Sequence, residues 1–165
     1  MIFGSDLFTN IHVAISLVAI VFGFVFLFQL LGGTRSRPVT AVFLLFTILT
    51  SVTGFFFKQT GAQPTPGQVV GVISLVLLAV ALLALYGRNL RGHWRGTFLI
   101  TALTAQWLNV FVLIIQLFQK IPALQTLAPG VPPSGPVFGG IQGVALLFFI
   151  GTGLMSLRRF QPRMR

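Results

Sequence analysis

The chain has 165 residues, of which 55% are hydrophobic and 7% charged, with a net charge of +10, no cysteine and a mean hydropathy of +0.96. Soluble domains carry about 25% charged residues, so this chain has too little polar surface to fold in water and a bilayer is its solvent. The missing cysteines exclude disulfides, thiolate metal sites, iron–sulfur clusters and cysteine nucleophiles.

The amino terminus, MIFGSDLFTN, lacks the basic flank of a cleaved secretory signal and carries the only acidic residue, Asp6, so the first apolar span is expected to be retained. A helix needs roughly 20 apolar residues to cross a hydrocarbon core of about 30 Å. Five segments qualify, predicting an all-α membrane bundle that forms one domain over residues 1–165. The first spans 7–31 and stops at Gly32-Gly33, and the second spans 39–57 after Arg35, Arg37 and Pro38. A Gly-, Pro- and Gln-rich loop leads to the third span, 69–86, which the basic turn GRNLRGHWR follows. The fourth spans 97–118, and the loop IPALQTLAPGVPPSGP is too proline-rich for regular structure in lipid. The fifth spans 137–157 and ends at Arg158-Arg159.

Basic residues divide sharply between alternate connections. Nine of the eleven, Arg35, Arg37, Arg88, Arg91, Arg95, Arg158, Arg159, Arg163 and Arg165, fall on one side, and Lys58 and Lys120 fall on the other. The positive-inside rule then predicts an N-out, C-in orientation. In a soluble protein such charge would point to nucleic acid; in short loops between apolar spans it points to topology and to anionic lipid, with no nucleic-acid partner expected. Arg91, Arg95, Arg158 and Arg159 are the candidate head-group contacts, with Tyr86 and Trp94 as interfacial anchors. An odd number of spans also argues against a simple inverted-repeat transporter.

In lipid, helix contacts are marked by small residues and by polar groups seeking partners. At 100° per residue, His12, Ser16 and Gly23 fall within about 40° on the first span, and Gln106, Asn109, Gln116 and Lys120 within about 80° on the fourth. Thr40, Thr47 and Gly54 repeat on the second span, with Thr50 and Ser51 beside them, and Gly67, Gly71, Ser74 and Ala81 mark the third. Gly139, Gly140 and Gly143 on the fifth suit close helix approach, within the bundle or with another subunit.

His12 is the one ionisable group expected at membrane depth, where such groups are functional candidates by default. Convergent interior faces would gather His12, Ser16, Thr50, Asn109, Gln116 and Gln142 into an outward-facing polar ligand site, which water, a proton, a quinone head group or a small polar ligand could enter. Hydrogen bonding across the bundle is the plainer account of the same residues. Bis-histidine haem ligation within one chain is not expected, because His93 sits in the connection at the opposite end from His12, which leaves only a lone His12 ligand with a second ligand from elsewhere. No carboxylate lies in any span, and His12 with Ser16 lacks an acid to orient the imidazole, so no catalytic residue and no metal ligand is assigned.

The stretches IHVAISLVAIVFGFVFLF, FLLFTILTSVTGFFF and LNVFVLIIQLFQKIPALQTLAP resemble a family of short multi-spanning bacterial inner-membrane proteins without an assigned activity. The resemblance implies a bacterial cell-membrane location and transfers no residue role. Three functions follow as expectations. The first is a non-enzymatic accessory subunit or self-associating component of a membrane complex. A quinone- or haem-binding redox protein is the second, and a small channel or carrier the third.

Overall fold

The computed structural model describes residues 7–57 and 65–161, which form six helices. These are α1 (Leu7–Leu31), α2 (Arg37–Gly54), α3 (Pro66–Leu82), α4 (Trp94–Lys120), a single-turn α5 (Pro122–Gln125) and α6 (Pro136–Arg159). All but α5 are long and apolar enough to cross a membrane, α3 being extended to Gly87 by a π-helical turn over Leu83–Gly87. Val21, Phe28, Leu45, Val76, Ile100 and Leu147 are each more than half exposed on the outside of the bundle. In water they would form a large apolar surface; against lipid tails they are at home.

Helix ends follow local chemistry. Beyond α1, Gly33 adopts φ +72° while its N–H bonds Leu30 O and the Thr34 N–H bonds Gln29 O, a Schellman stop that needs a residue without Cβ. Helix α2 starts two residues before its expected position, because Pro38 fits the first helical turn, where its missing N–H is not needed. It also stops earlier, and the Phe55–Phe57 triplet forms a turn. Thr65 and Gln68 form a reciprocal capping box that opens α3 three residues early. Trp94 and Arg95, expected in a loop, lie in the first turn of α4. The proline-rich loop expected to be irregular holds the short α5, which suits a segment outside the hydrocarbon.

Helices α1 to α4 pack in sequence, each on the next, and α4 closes back on α1. Phe26, Phe43 and Phe98 are fully buried where α1, α2 and α4 meet; Phe26 stacks on Phe43 at 5.2 Å and meets Phe98 edge-on at 5.9 Å. Helix α6 lies outside this four-helix unit, against α4 and α1.

Contacts between helix ends show the antiparallel order. The Arg159 guanidinium donates to Leu31 O (3.1 Å), so α6 and α1 finish together, and Arg95 at the start of α4 donates to Phe160 O just past α6. This basic end also holds Arg35, Arg37, Arg88, Arg91 and Arg158. Burial, reinforced by Arg37, pulls the Arg35 pKa below the ordinary arginine value, with Tyr86 opposing. Lys120 closes α4 at the opposite end, where Phe118 meets Phe138 of α6 edge-on at 5.4 Å. Lys58, Arg163 and Arg165 lie outside the described residues.

Candidate functional site

The largest fully buried polar side chain among the described residues belongs to α4. Gln106 is fully buried about 18 Å along the helix, near mid-membrane. An amide there must find a partner, since hydrocarbon offers none. Its Nε2 donates to Ile20 O of α1 at 3.0 Å. Gly23 makes this possible: a Cβ at that position would stand 2.0 Å from Gln106 Oε1. One turn along, Asn109 Nδ2 donates to Thr47 Oγ1 of α2 at 3.2 Å, and Gln106 Oε1 lies 3.5 Å from the same nitrogen. The Thr47 hydroxyl donates its own hydrogen to Phe43 O (2.8 Å), which leaves its oxygen free to accept. Gln106, Asn109, Thr47 and Gly23 thereby tie α1, α2 and α4 in one register.

His12 belongs to a second group, at the end away from the arginines. Its Nδ1 lies 2.7 Å from Thr53 Oγ1 on α2, and Phe57 packs edge-on at 4.8 Å between ring centroids. Thr53 donates to Leu49 O at 2.7 Å, so its oxygen accepts and the proton on the imidazole is assigned to Nδ1. Nε2 then remains as an acceptor with no hydrogen-bond partner among the described residues. It is the atom best placed to take a proton or a ligand, although no group of three His, Cys, Asp or Glu side chains gathers among the described residues.

The remaining expected ligands do not join His12. Ser16 donates back to His12 O in its own helix at 2.7 Å, as hydroxyls in helices commonly do. Thr50 Oγ1 is buried with no hydrogen bond among the described residues. Asn109 serves the deeper cluster, and no hydrogen bond among the described residues links that cluster to His12. Thr47 and Thr53 are separated by about 9 Å of helix. Gln116 is exposed four residues from the end of α4, at a depth where an amide can reach the interface. Gln142, nine-tenths buried on α6, donates from Nε2 to Phe111 O of α4 (3.1 Å), while its Oε1 has no partner among the described residues. The polar side chains thus form three separate helix contacts.

The four arginines expected at head groups also divide. Arg95 and Arg159 are engaged with backbone carbonyls, whereas Arg91 and Arg158 are exposed. Arg88 lies over the Trp94 ring, 5.2 Å from its centroid. Two features escape a reading of stripes: the fit of Gln106 onto Gly23, and an apolar groove of about 320 Å³ between α4 and α6 that Trp107 helps to line. Gln106 and Gly23 both stand on the expected stripes, and their matching depth from opposite helix ends is the signal that pairs them. No family model matches the chain, nor does any curated protein or solved structure.

Proposed function

We propose that this chain is a non-enzymatic component of a bacterial inner membrane, N-terminus out and C-terminus in, which acts by packing α6 against another membrane helix. The partner is either a complex in which the chain is an accessory subunit or a second copy. One observation carries this reading: a Cβ built on Gly139, Gly140, Gly143 or Gly151 meets no atom within 4 Å. Glycine disfavours a helix interior by about 1 kcal/mol relative to alanine, and within this fold α6 receives no close approach at these positions in return. A backbone bared to lipid in this way suits a helix that approaches from outside. The engagement of His12, Gln106, Asn109 and Gln142 in contacts between helices further supports a scaffold role.

The test is purification of the full chain in mild detergent, with its mass read by light scattering and any copurifying protein identified. The expected result is a particle larger than the 17.9 kDa monomer, reduced to monomer by Gly140→Ile with Gly143→Ile while helicity is retained. A stable, solitary monomer of the unaltered protein overturns the proposal.

A further inference from the structure

The groove between α4 and α6 is walled by Leu99, Leu103 and Trp107 on one helix and by Leu146, Ile150 and Leu157 on the other. Ile100, Ile150 and Leu154 along its rim are about half exposed, so it opens sideways. It follows α4 for about 12 Å and α6 for about 17 Å, close to the 15 Å or so of one leaflet's hydrocarbon. Its lower mouth is the basic end of the bundle and its upper limit, Trp107, is the middle residue of α4. At about 320 Å³ the groove is slim for that length, well short of the space that a helix about 10 Å across would fill.

Charge at the mouth supplies the second constraint. Arg158 directly follows Leu157, is exposed, and has no hydrogen bond or ion pair among the described residues, while neighbouring Arg95 and Arg159 hold backbone carbonyls. With Asp6 as its only acidic residue, the chain cannot neutralise the arginines at this end from within. We infer that the α4/α6 groove binds one acyl chain of an anionic phospholipid whose phosphate pairs with Arg158. Guanidinium and phosphate form paired, charge-assisted hydrogen bonds, and the apolar slot starts one residue away. Of the bared glycines, Gly139, Gly140 and Gly143 precede the groove walls on α6, with only Gly151 alongside them, so the lipid and a partner helix can be held together.

The full-length protein with Trp94→Phe leaves Trp107 as its only tryptophan, and fluorescence can then be read in vesicles. Acyl chains brominated at mid-chain, on phosphatidylglycerol or phosphatidylcholine, serve as quenchers. Phosphatidylglycerol is expected to quench Trp107 at about fivefold lower mole fraction than phosphatidylcholine, the effect of one arginine at a lipid surface. Arg158→Gln should erase the preference, and Lys120→Gln, at the other end, should keep it. Gly153→Leu should weaken quenching by both lipids, since Gly153 lines the groove and its Cβ would meet only Leu103, at 3.8 Å. Equal quenching by the two lipids overturns the inference, as does a preference that survives Arg158→Gln. Undiminished quenching in a folded Gly153→Leu protein means head-group attraction without a groove and also overturns it. If circular dichroism shows that variant unfolded, the comparison of the two lipids with and without Arg158 decides alone.

Discussion

Gly23→Ala adds one carbon to α1, at a place already occupied. That carbon would lie 2.0 Å from Gln106 Oε1, 2.2 Å from Cδ and 2.6 Å from Nε2, whereas non-bonded carbon contacts are favourable near 3.5 to 4.0 Å, roughly. Gln106 is fully buried, so its amide has no open space to swing into and the bond to Ile20 O breaks. Interhelical hydrogen bonds in lipid are worth about 0.6 kcal/mol on average and about 1.7 at most, and overpacking a filled site costs about 1 to 3 kcal/mol. Alanine's better helix propensity returns about 1 kcal/mol, leaving a net loss of about 1 to 3 kcal/mol. Gln106→Ala also loses the bond, but it opens the space that the new methyl needs. The double variant is therefore expected to be more stable than Gly23→Ala alone, with a coupling of at least about 1 kcal/mol. Reversible unfolding in mixed detergent micelles, followed by circular dichroism, measures all four proteins. Additive single effects, or a Gly23→Ala protein as stable as the parent, would refute the fit of Gln106 onto Gly23.

Three further outcomes can be checked alongside. Asn109→Leu and Thr47→Val should each destabilise by about 1 kcal/mol in the same unfolding assay, and the double variant should be no worse than the weaker single, since both remove one hydrogen bond. His12→Phe and Thr53→Val should show the same coupling, and equal stability of His12→Phe and the parent would remove His12 from the bundle's polar contacts. Because the chain has no cysteine, Arg91→Cys and Ser134→Cys can be labelled singly in intact cells with an impermeant reagent. Cysteine at 134 should react and cysteine at 91 should react only after lysis; labelling of both from outside contradicts the orientation.

The spans are legible because crossing a bilayer imposes a length and a composition that nothing else in this chain satisfies. Span 7–31 coincides with α1 because the apolar run ends on a glycine whose positive φ stops the helix. Errors gather where one residue type suits two states: Pro38 can close a loop or open a helix, and Trp94 can anchor a turn or begin one. The candidate site is less legible. His12 and Thr53 stand at one depth, as their distances from the span ends imply. The hydroxyls of Thr47, Thr50, Ser51 and Thr53, however, do not announce which of them will face an imidazole, since each can bond its own helix. Gln116 shares a stripe with Asn109, yet a stripe carries no information on where the neighbouring helices end, so one amide is held inside and the other is exposed.

Glycine makes the same point more sharply. Gly23 on α1 and Gly143 on α6 both lie on small-residue faces, and periodicity alone gives them equal standing as packing positions. In water the hydrophobic effect would separate inside from outside, but against lipid an apolar exterior is indistinguishable from an apolar core. What separates the two glycines is a complementary polar volume at matching depth. Counted from the basic ends of the expected spans 7–31 and 97–118, Gly23 lies about 12 Å in and Gln106 about 13.5 Å in, while a Cβ on Gly143 would meet nothing within 4 Å. A glycine that accommodates a buried amide serves the fold of its own chain, since moving either partner strands a polar group in hydrocarbon. A bare glycine on a peripheral helix gives the chain no such return, and its use has to be sought in a neighbour. Variants at 23 should therefore change stability before association, and variants at 143 should change association before stability.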